Sequence, residues 1–339
     1  MPDYFEAQTI LMTICTLCGG STNRVIESLP GYQVGKTFQI NYCLDCDTSV
    51  AVPLEVDENL YNFIYLNAQH IPGYDRYYRY ADDVLLVKDP LKFLAESEDT
   101  YWSISHFIKK VNKQPNPKIL EVGCGLGYLT YALVHEGYDA TGIDISEQAV
   151  TEASRRYGNN YERVDIYELV RSQHKTYDIV IMTEVIEHIP DPKGFILTLK
   201  SLLSENGSLL ITTPSKDVDD NKSQYWNTEL PPVHLWWFSE KSFIQLSKAI
   251  HMNVAFIDYN LYLKKQINYP VAKMAWRTQT LGDNGKVLFQ MPHHPIRYAL
   301  KRKLIDFNLL SGLKSVILSL KKSNPAVKAQ RLTAIFTTI

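Results

Sequence analysis

Residues 119–127 read Ile119-Leu120-Glu121-Val122-Gly123-Cys124-Gly125-Leu126-Gly127, and this stretch decides the fold. The apolar run Ile119–Val122 predicts a short buried strand. Three glycines at alternate positions follow, and Tyr128–His135 continues as a helix. Glycines at such a turn let the backbone bend sharply and approach a ligand closely. The helix N-terminus behind them presents free N–H groups to that ligand. A dinucleotide fingerprint needs G-x-G-x-x-G. Here the third position is Tyr128, so that reading fails.

Working outward, strands and helices alternate. Ala140–Ile143 reads as a strand, Ser146–Tyr157 as a helix with Ser146 as N-cap, and Val164 as the end of a third strand. Asp178–Met182 is a strongly apolar fourth strand. Phe195–Leu203 is helical, and Ser208–Thr212 is a fifth strand after an Asn206-Gly207 turn. Ser239–Ala249, Val254–Tyr259 and Thr333–Thr338 supply a further helix and two further strands. This alternation predicts an α/β fold, a Rossmann-like, seven-stranded, mostly parallel sheet with helices on both faces. Asp144 closes the second strand, 17 residues after Gly127, where an acid accepts hydrogen bonds from ribose hydroxyls. Asp165 closes the third, within reach of an adenine edge.

The spacing of Glu121, Gly123, Gly125 and Gly127 resembles motif I of class I S-adenosylmethionine (SAM)-dependent methyltransferases. Tyr177–Pro192 (YDIVIMTEVIEHIPDP) is similar to the corresponding segment of the ubiquinone-biosynthesis O-methyltransferase group, and Gly207–Pro214 to its fifth strand and following loop. The resemblance implies SAM as cofactor, with Glu121 near the methionine amino group. Ile145, Ile166 and Thr183, beside Asp144 and Asp165 at the strand ends, are further cofactor candidates. In this family N-terminal helices close over the cofactor. That makes Tyr78, from the tyrosine-rich run Tyr61, Tyr65, Tyr74, Tyr77, Tyr78 and Tyr80, a further cofactor candidate.

Methyl transfer from a sulfonium needs an acceptor lone pair aligned with the S–CH3 bond, and sometimes a base. Candidate catalytic residues are His188 and Glu187 after the fourth strand, and His234 after the fifth. In some O-methyltransferases a Glu-x-x-Glu-His pattern like Glu184-x-x-Glu187-His188 holds a divalent metal, which makes Mg2+ a candidate cofactor. Trp236, Trp237 and Phe238 read as core.

Four of the five cysteines form two C-x-x-C pairs, Cys15/Cys18 and Cys43/Cys46, separated by 24 residues. That spacing matches a structural zinc ribbon. A cysteine-paired module ahead of a methyltransferase resembles sugar and nucleotide-sugar methyltransferases, and also certain rRNA methyltransferases. The organisation expected is a ribbon-like module at 1–53, a helical cap at 54–115, the SAM-binding core at 116–262 with its last strand at 331–339, and a basic helical insertion at 263–330.

That insertion is distinctive. From Lys264 to Arg331 there are 14 Lys/Arg against Asp283 and Asp306, a local charge of +12 in a chain whose net charge is −2. Residues 297–322 combine basic side chains with Leu304, Phe307, Leu310, Leu313, Ile317 and Leu320 near helical spacing, broken at Gly312. Membrane-surface contact, phosphate or RNA contact, and homodimerisation all fit this pattern. The overall charge gives no general reason to expect a nucleic-acid partner. No run of 18 apolar residues exists, and Tyr4, Glu6 and Thr9 interrupt the N-terminus, so the expected location is cytoplasmic. The leading function is methyl transfer to a small-molecule acceptor, a sugar or a nucleotide- or lipid-linked sugar. The alternatives are an RNA methyltransferase and a non-catalytic scaffold.

Overall fold

The computed structural model describes residues 13–56, 58–67, 71, 74–112, 114–172, 175–218, 230–263, 280–288 and 331–339. Within it the glycine-rich stretch follows the first strand of a seven-stranded sheet. Those strands are β5 (Lys118–Val122), β6 (Asp139–Asp144), β7 (Tyr161–Arg163), β8 (Tyr177–Thr183), β9 (Leu203–Pro214), β11 (Met252–Phe256) and β12 (Arg331–Thr338). The order across the sheet is β11-β12-β9-β8-β5-β6-β7. The four pairings among β5–β9 are parallel, and β12 is antiparallel to both β9 and β11. Ile119, Leu120, Ile179–Met182 and Leu209–Ile211 are buried. Such unbroken apolar strands are what a parallel sheet covered on both faces demands.

Helices α5 (Tyr128–His135), α6 (Glu147–Tyr157), α7 (Ile166–Ser172), α8 (Pro192–Lys200) and α9 (Glu240–Ala249) supply the crossovers. Their starts follow local chemistry. Ser146 caps α6 by accepting from Ala149 N, Asp191 caps α8 by accepting from Gly194 N with Pro192 in the first turn, and Ser239 and Ser242 form a capping box on α9. Two boundaries differ from the sequence expectation. The Asn206-Gly207 step lies inside β9, which begins at Leu203, so α8 ends at Lys200. Strand β11 begins at Met252 and ends at Phe256, because its register is set by β12 rather than by its own apolar run.

Ahead of this sheet lie β1 (Thr13–Ile14), β2 (Ser21–Pro30), β3 (Thr37–Cys43) and β4 (Thr48–Val52), then α1 (Glu58–Asn67), α2 (Asp75–Asp83), α3 (Pro90–Ser97) and α4 (Asp99–His106). Leu91 and Leu94 on α3 and Ile104 on α4 are fully buried in the same core as Leu129 and Leu133 of α5. The N-terminal sheet has the order β1-β2-β3-β4-β10, and its fifth strand β10 (Trp236–Trp237) comes from the far side of the chain. Trp236 pairs with Val50 and Trp237 with Ser49. Both tryptophans are buried, as expected of core. The short α10 (Asn260–Leu263) ends the described stretch before the basic segment.

Within residues 263–330 only 263 and 280–288 are described. There the Thr280 and Leu281 N–H groups donate to Tyr32 O, and Leu281 is buried against the N-terminal sheet. The predicted amphipathic run 297–322 lies outside the described residues. Among the described residues, no helix is long and apolar enough to cross a membrane.

Candidate active site

The glycine loop leaves β5 with three left-handed residues, Gly123, Gly125 and Gly127, at φ of +75°, +50° and +77°. Two of them also lack room for a side chain. A Cβ on Gly123 would lie 2.6 Å from Val185 Cγ2, and one on Gly127 2.5 Å from the Tyr161 ring. The alternating glycines therefore serve both conformation and close approach. The Gly123–Val185 contact brings the loop against the segment that follows β8.

Asp144 ties the loop to the second strand. Its Oδ2 accepts from Gly125 N at 2.8 Å, and its Oδ1 accepts from Ser146 N at 2.8 Å. Burial pushes its pKa up, opposed by those backbone N–H groups. Glu121 is fully buried and accepts from Thr130 Oγ1. Burial raises its pKa to about 8. A buried carboxyl of this kind waits for a cationic partner, as the methionine ammonium inferred from motif I would be.

The remaining cofactor candidates are distributed around the same edge. Ile166 is buried, Thr183 is half-buried and Ile145 is exposed. Asp165 is exposed, and its Oδ1 accepts from Tyr167 N at 2.8 Å. Tyr78 is half-buried with Arg156 over its ring, and it lines a cavity of about 430 Å3 with Leu66, Leu126 and Gln148. The helical cap and the glycine loop thus share one cleft. The side chain of Tyr65 lies outside the described residues.

The second part of the site gathers distant pieces. Glu187, His188 and His234 each place a ligating atom within 4.8 Å of the other two. The His188 and His234 rings are 4.8 Å apart between centroids. Leu235 N donates to Glu187 O at 2.8 Å, which fixes the 231–237 segment beside the post-β8 turn. On its other side the same segment is held by the N-terminal sheet, through Ala51 N donating to Leu235 O and Tyr32 N donating to Pro231 O. The Val233 carbonyl accepts from Tyr61 Oη at 3.1 Å and from His188 Nδ1. Tyr61 of α1 packs edge-on against His188.

Electrostatics divide the three glutamate and histidine neighbours. Glu184, held at φ +54°, pairs with Arg331 at 2.8 Å and accepts from Thr212 Oγ1 at 3.1 Å. Glu187 accepts from Thr213 Oγ1 at 3.0 Å, while its Oε1 is buried with no hydrogen-bond partner among the described residues. Burial raises both carboxyls to about 7. Burial lowers the His188 pKa, against the pull of the Val233 and Glu184 carbonyls, so the ring is neutral at pH 7. Tyr61 and Arg331 escape sequence inspection. Arg331 opens an otherwise apolar strand far along the chain, and Tyr61 is one tyrosine among many.

The four module cysteines converge, with all sulfurs within 4.8 Å of one another and no disulfide between them. Cys15–Cys46 and Cys18–Cys43 are each 3.6 Å apart. Tetrahedral Zn–S bonds of about 2.3 Å put sulfurs about 3.8 Å apart, so the cluster is compatible with a zinc ribbon. The Cys15 thiol is lowered to about 5, chiefly by its hydrogen bond with Cys46.

A glycine loop on the first strand, an acid on the second and a sheet that turns antiparallel at its last strand give the arrangement that the sequence resemblance to class I SAM-dependent methyltransferases implies. Residues 94–254 match the family described as "Methyltransferase domain". The ubiquinone biosynthesis O-methyltransferase of Idiomarina loihiensis is 32% identical over 108 residues, 30% of this chain and 44% of that protein. That of Bordetella avium is 33% identical over 106 residues, again 30% and 44%. The chain spans about half the length of the curated relatives it matches. Among solved structures, the plantazolicin methyltransferase BamL, in complex with a triazolic desmethylPZN analog and SAH, is 16% identical. That likeness covers 83% of this chain and 97% of BamL at a TM-score of 0.44.

Proposed function

We propose that this protein transfers the methyl group of SAM to a hydroxyl of a small-molecule acceptor, a sugar or a nucleotide- or lipid-linked sugar. The observation that carries this reading is the close approach of Gly123 to Val185. It sets the glycine loop against the turn bearing Glu187 and His188, which supports a methyl donor held by that loop lying on the same edge of the sheet as the candidate base.

In this reaction the C–S bond of the sulfonium breaks as the acceptor oxygen forms its bond to the methyl carbon. The hydroxyl proton leaves, and SAH remains. The methyl is already activated, so alignment supplies most of the acceleration. His188, neutral at pH 7, and His234 are the candidate bases, with Glu187 beside them. Glu121, Gly123, Gly125, Gly127, Asp144, Ile145, Asp165, Ile166, Thr183 and Tyr78 are the residues we assign to the cofactor. The names of the curated relatives favour an oxygen acceptor, and the cysteine module favours a sugar through its resemblance to nucleotide-sugar methyltransferases. Zinc in that module has a structural role, and free paired cysteines suit a reducing, cytoplasmic compartment.

Calorimetry with SAM and SAH tests the cofactor. Transfer of labelled methyl to a panel of free, nucleotide-linked and lipid-linked sugars tests the acceptor. Absence of SAM binding by the purified full chain overturns the reading. Methylation of RNA but of no sugar overturns the acceptor assignment.

A further inference from the structure

We propose that Lys216 is a positioning residue that ties the second cysteine turn of the N-terminal sheet to the candidate acceptor site, so that loss of zinc displaces His188 and His234. The inference deepens the methyl-transfer reading, and only the consequence for turnover rests on that reading.

Lys216 opens a short turn, Lys216–Val218, directly after β9. Its ammonium is buried at the seam between the two sheets. Burying a lysine is costly unless its donors are met, and here three acceptors meet them. Nζ donates to Asp47 O at 2.9 Å, to Asp47 Oδ1 at 3.3 Å and to Ser49 Oγ at 3.3 Å. It also lies 4.6 Å from the centre of the Tyr42 ring, whose hydroxyl donates to the same Asp47 carboxylate at 2.8 Å. These contacts converge on the residue next to Cys46, one of the four clustered cysteines.

Asp47 is held at φ +57°, a left-handed conformation that a residue with a side chain adopts at a cost and keeps only when its surroundings enforce it. The seven-stranded half of the molecule supplies the enforcement. Ser239 and Ser242 add hydroxyl donors to Asp47 O at 3.5 and 3.4 Å. Lys241 Nζ donates to Leu44 O at 2.8 Å. Thr48 Oγ1 donates to Ser242 Oγ at 2.9 Å and lies 3.1 Å from Cys46 Sγ. The turn at 43–47 is therefore seated by α9 and by the end of β9.

The same strand end reaches the candidate site. Three residues before Lys216, Thr213 Oγ1 donates to Glu187 at 3.0 Å. Lys216 N donates at 3.0 Å to the carbonyl of Phe238, four residues after His234. Residues 213–216 thus touch the cysteine turn, the Glu187 turn and the segment carrying His234. An apolar side chain would fill this seam without the cost of burying charge, since apolar replacement of a buried ion pair is often neutral or stabilising. What the lysine adds is direction, through donors that fix the cysteine turn against the strand end.

The test uses the full chain with zinc in its cysteines and isotope-labelled histidine rings. Transfer of zinc to a chromogenic chelator is timed for the wild-type protein and for Lys216→Met, which keeps the length and loses the donors. We expect zinc to leave the variant about tenfold faster or more, the scale of one hydrogen bond to a charged group, with SAH affinity by calorimetry unchanged. NMR should show the His188 and His234 ring signals displaced in that variant with zinc still bound. Stripping zinc from the wild-type protein should displace the same two signals and leave that of His135, on α5, in place, a readout that needs no variant. Equal rates of zinc release overturn the proposal. So does stripping that leaves both rings unmoved, or that abolishes SAH binding as well, since general unfolding is not a link to the acceptor side. Failure of the zinc-loaded wild-type protein to bind SAH would instead count against the methyl-transfer reading, leaving zinc release and the ring signals to decide the link.

Discussion

The two halves of the site are built differently. The half we assign to the cofactor, Glu121 through Ser146, is one contiguous strand–loop–helix–strand unit, closed by two hydrogen bonds to a single carboxylate. The half we assign to the acceptor joins Tyr61, Glu187, His188, Val233 and His234, and it is braced by a sheet from residues 13–52. Local structure positions the first half, and long-range packing positions the second. Damage to the first should therefore appear in cofactor affinity, and damage to the second in turnover.

The largest effect expected is on the acceptor half. Cys43→Ser loosens the four-sulfur cluster next to β4 and so the segment carrying His234. Misplacement by about 1 Å costs about a hundredfold in rate, so turnover should fall by about that factor while SAM affinity holds. Rate assays beside calorimetry check it, and an equal loss of both would dissolve the distinction. Asp144→Asn should do the reverse. Hydrogen bonds to a charged group are worth about 1.5–3 kcal/mol, so the SAM Kd should rise roughly tenfold to a hundredfold, with the circular dichroism spectrum unchanged.

Glu121 gives a pH-dependent version of the same contrast. Its pKa is raised to about 8 from 4.5. The stabilisation of the free protein from its protonated form is thus fully present below pH 4.5 and lost as pH rises through 8. If the SAM ammonium sits beside it, binding expels that proton. The Kd should then fall up to about tenfold per pH unit toward pH 8 and flatten above. Glu121→Gln should remove the slope. The smallest effect belongs to Tyr61→Phe, which loses one hydrogen bond to the Val233 carbonyl. At about 0.5–1.5 kcal/mol, the change should be a few-fold in kcat, with no change in SAM affinity.

Legibility in the sequence follows the same division. The alternating strands, the three left-handed glycines, Asp144 and the four cysteines are readable because each feature is set by neighbours a few residues away. His188 and His234 could be singled out, but nothing local says that they meet. Their meeting depends on Leu235 N finding Glu187 O and on β10 finding β4. The ion pair from Arg331 to Glu184 spans most of the core. Its partner choice is a property of the finished sheet, where β12 starts beside Pro214. The length of β9 is illegible for a related reason: Leu203 pairs with Tyr177 and Ser208 with Ile179, so the Asn206-Gly207 step falls in a register shift within one strand instead of ending it.

The shared strand has a consequence for anyone trimming or transplanting this protein. Trp236 and Trp237 are joined to the seven-stranded sheet by covalent chain and to the cysteine-bearing sheet by hydrogen bonds. A version starting at residue 54 would leave that tryptophan pair as a bare apolar edge, open to pairing with other molecules. Such a fragment should be sticky and short-lived in solution, and for grafting purposes the two sheets have to travel together.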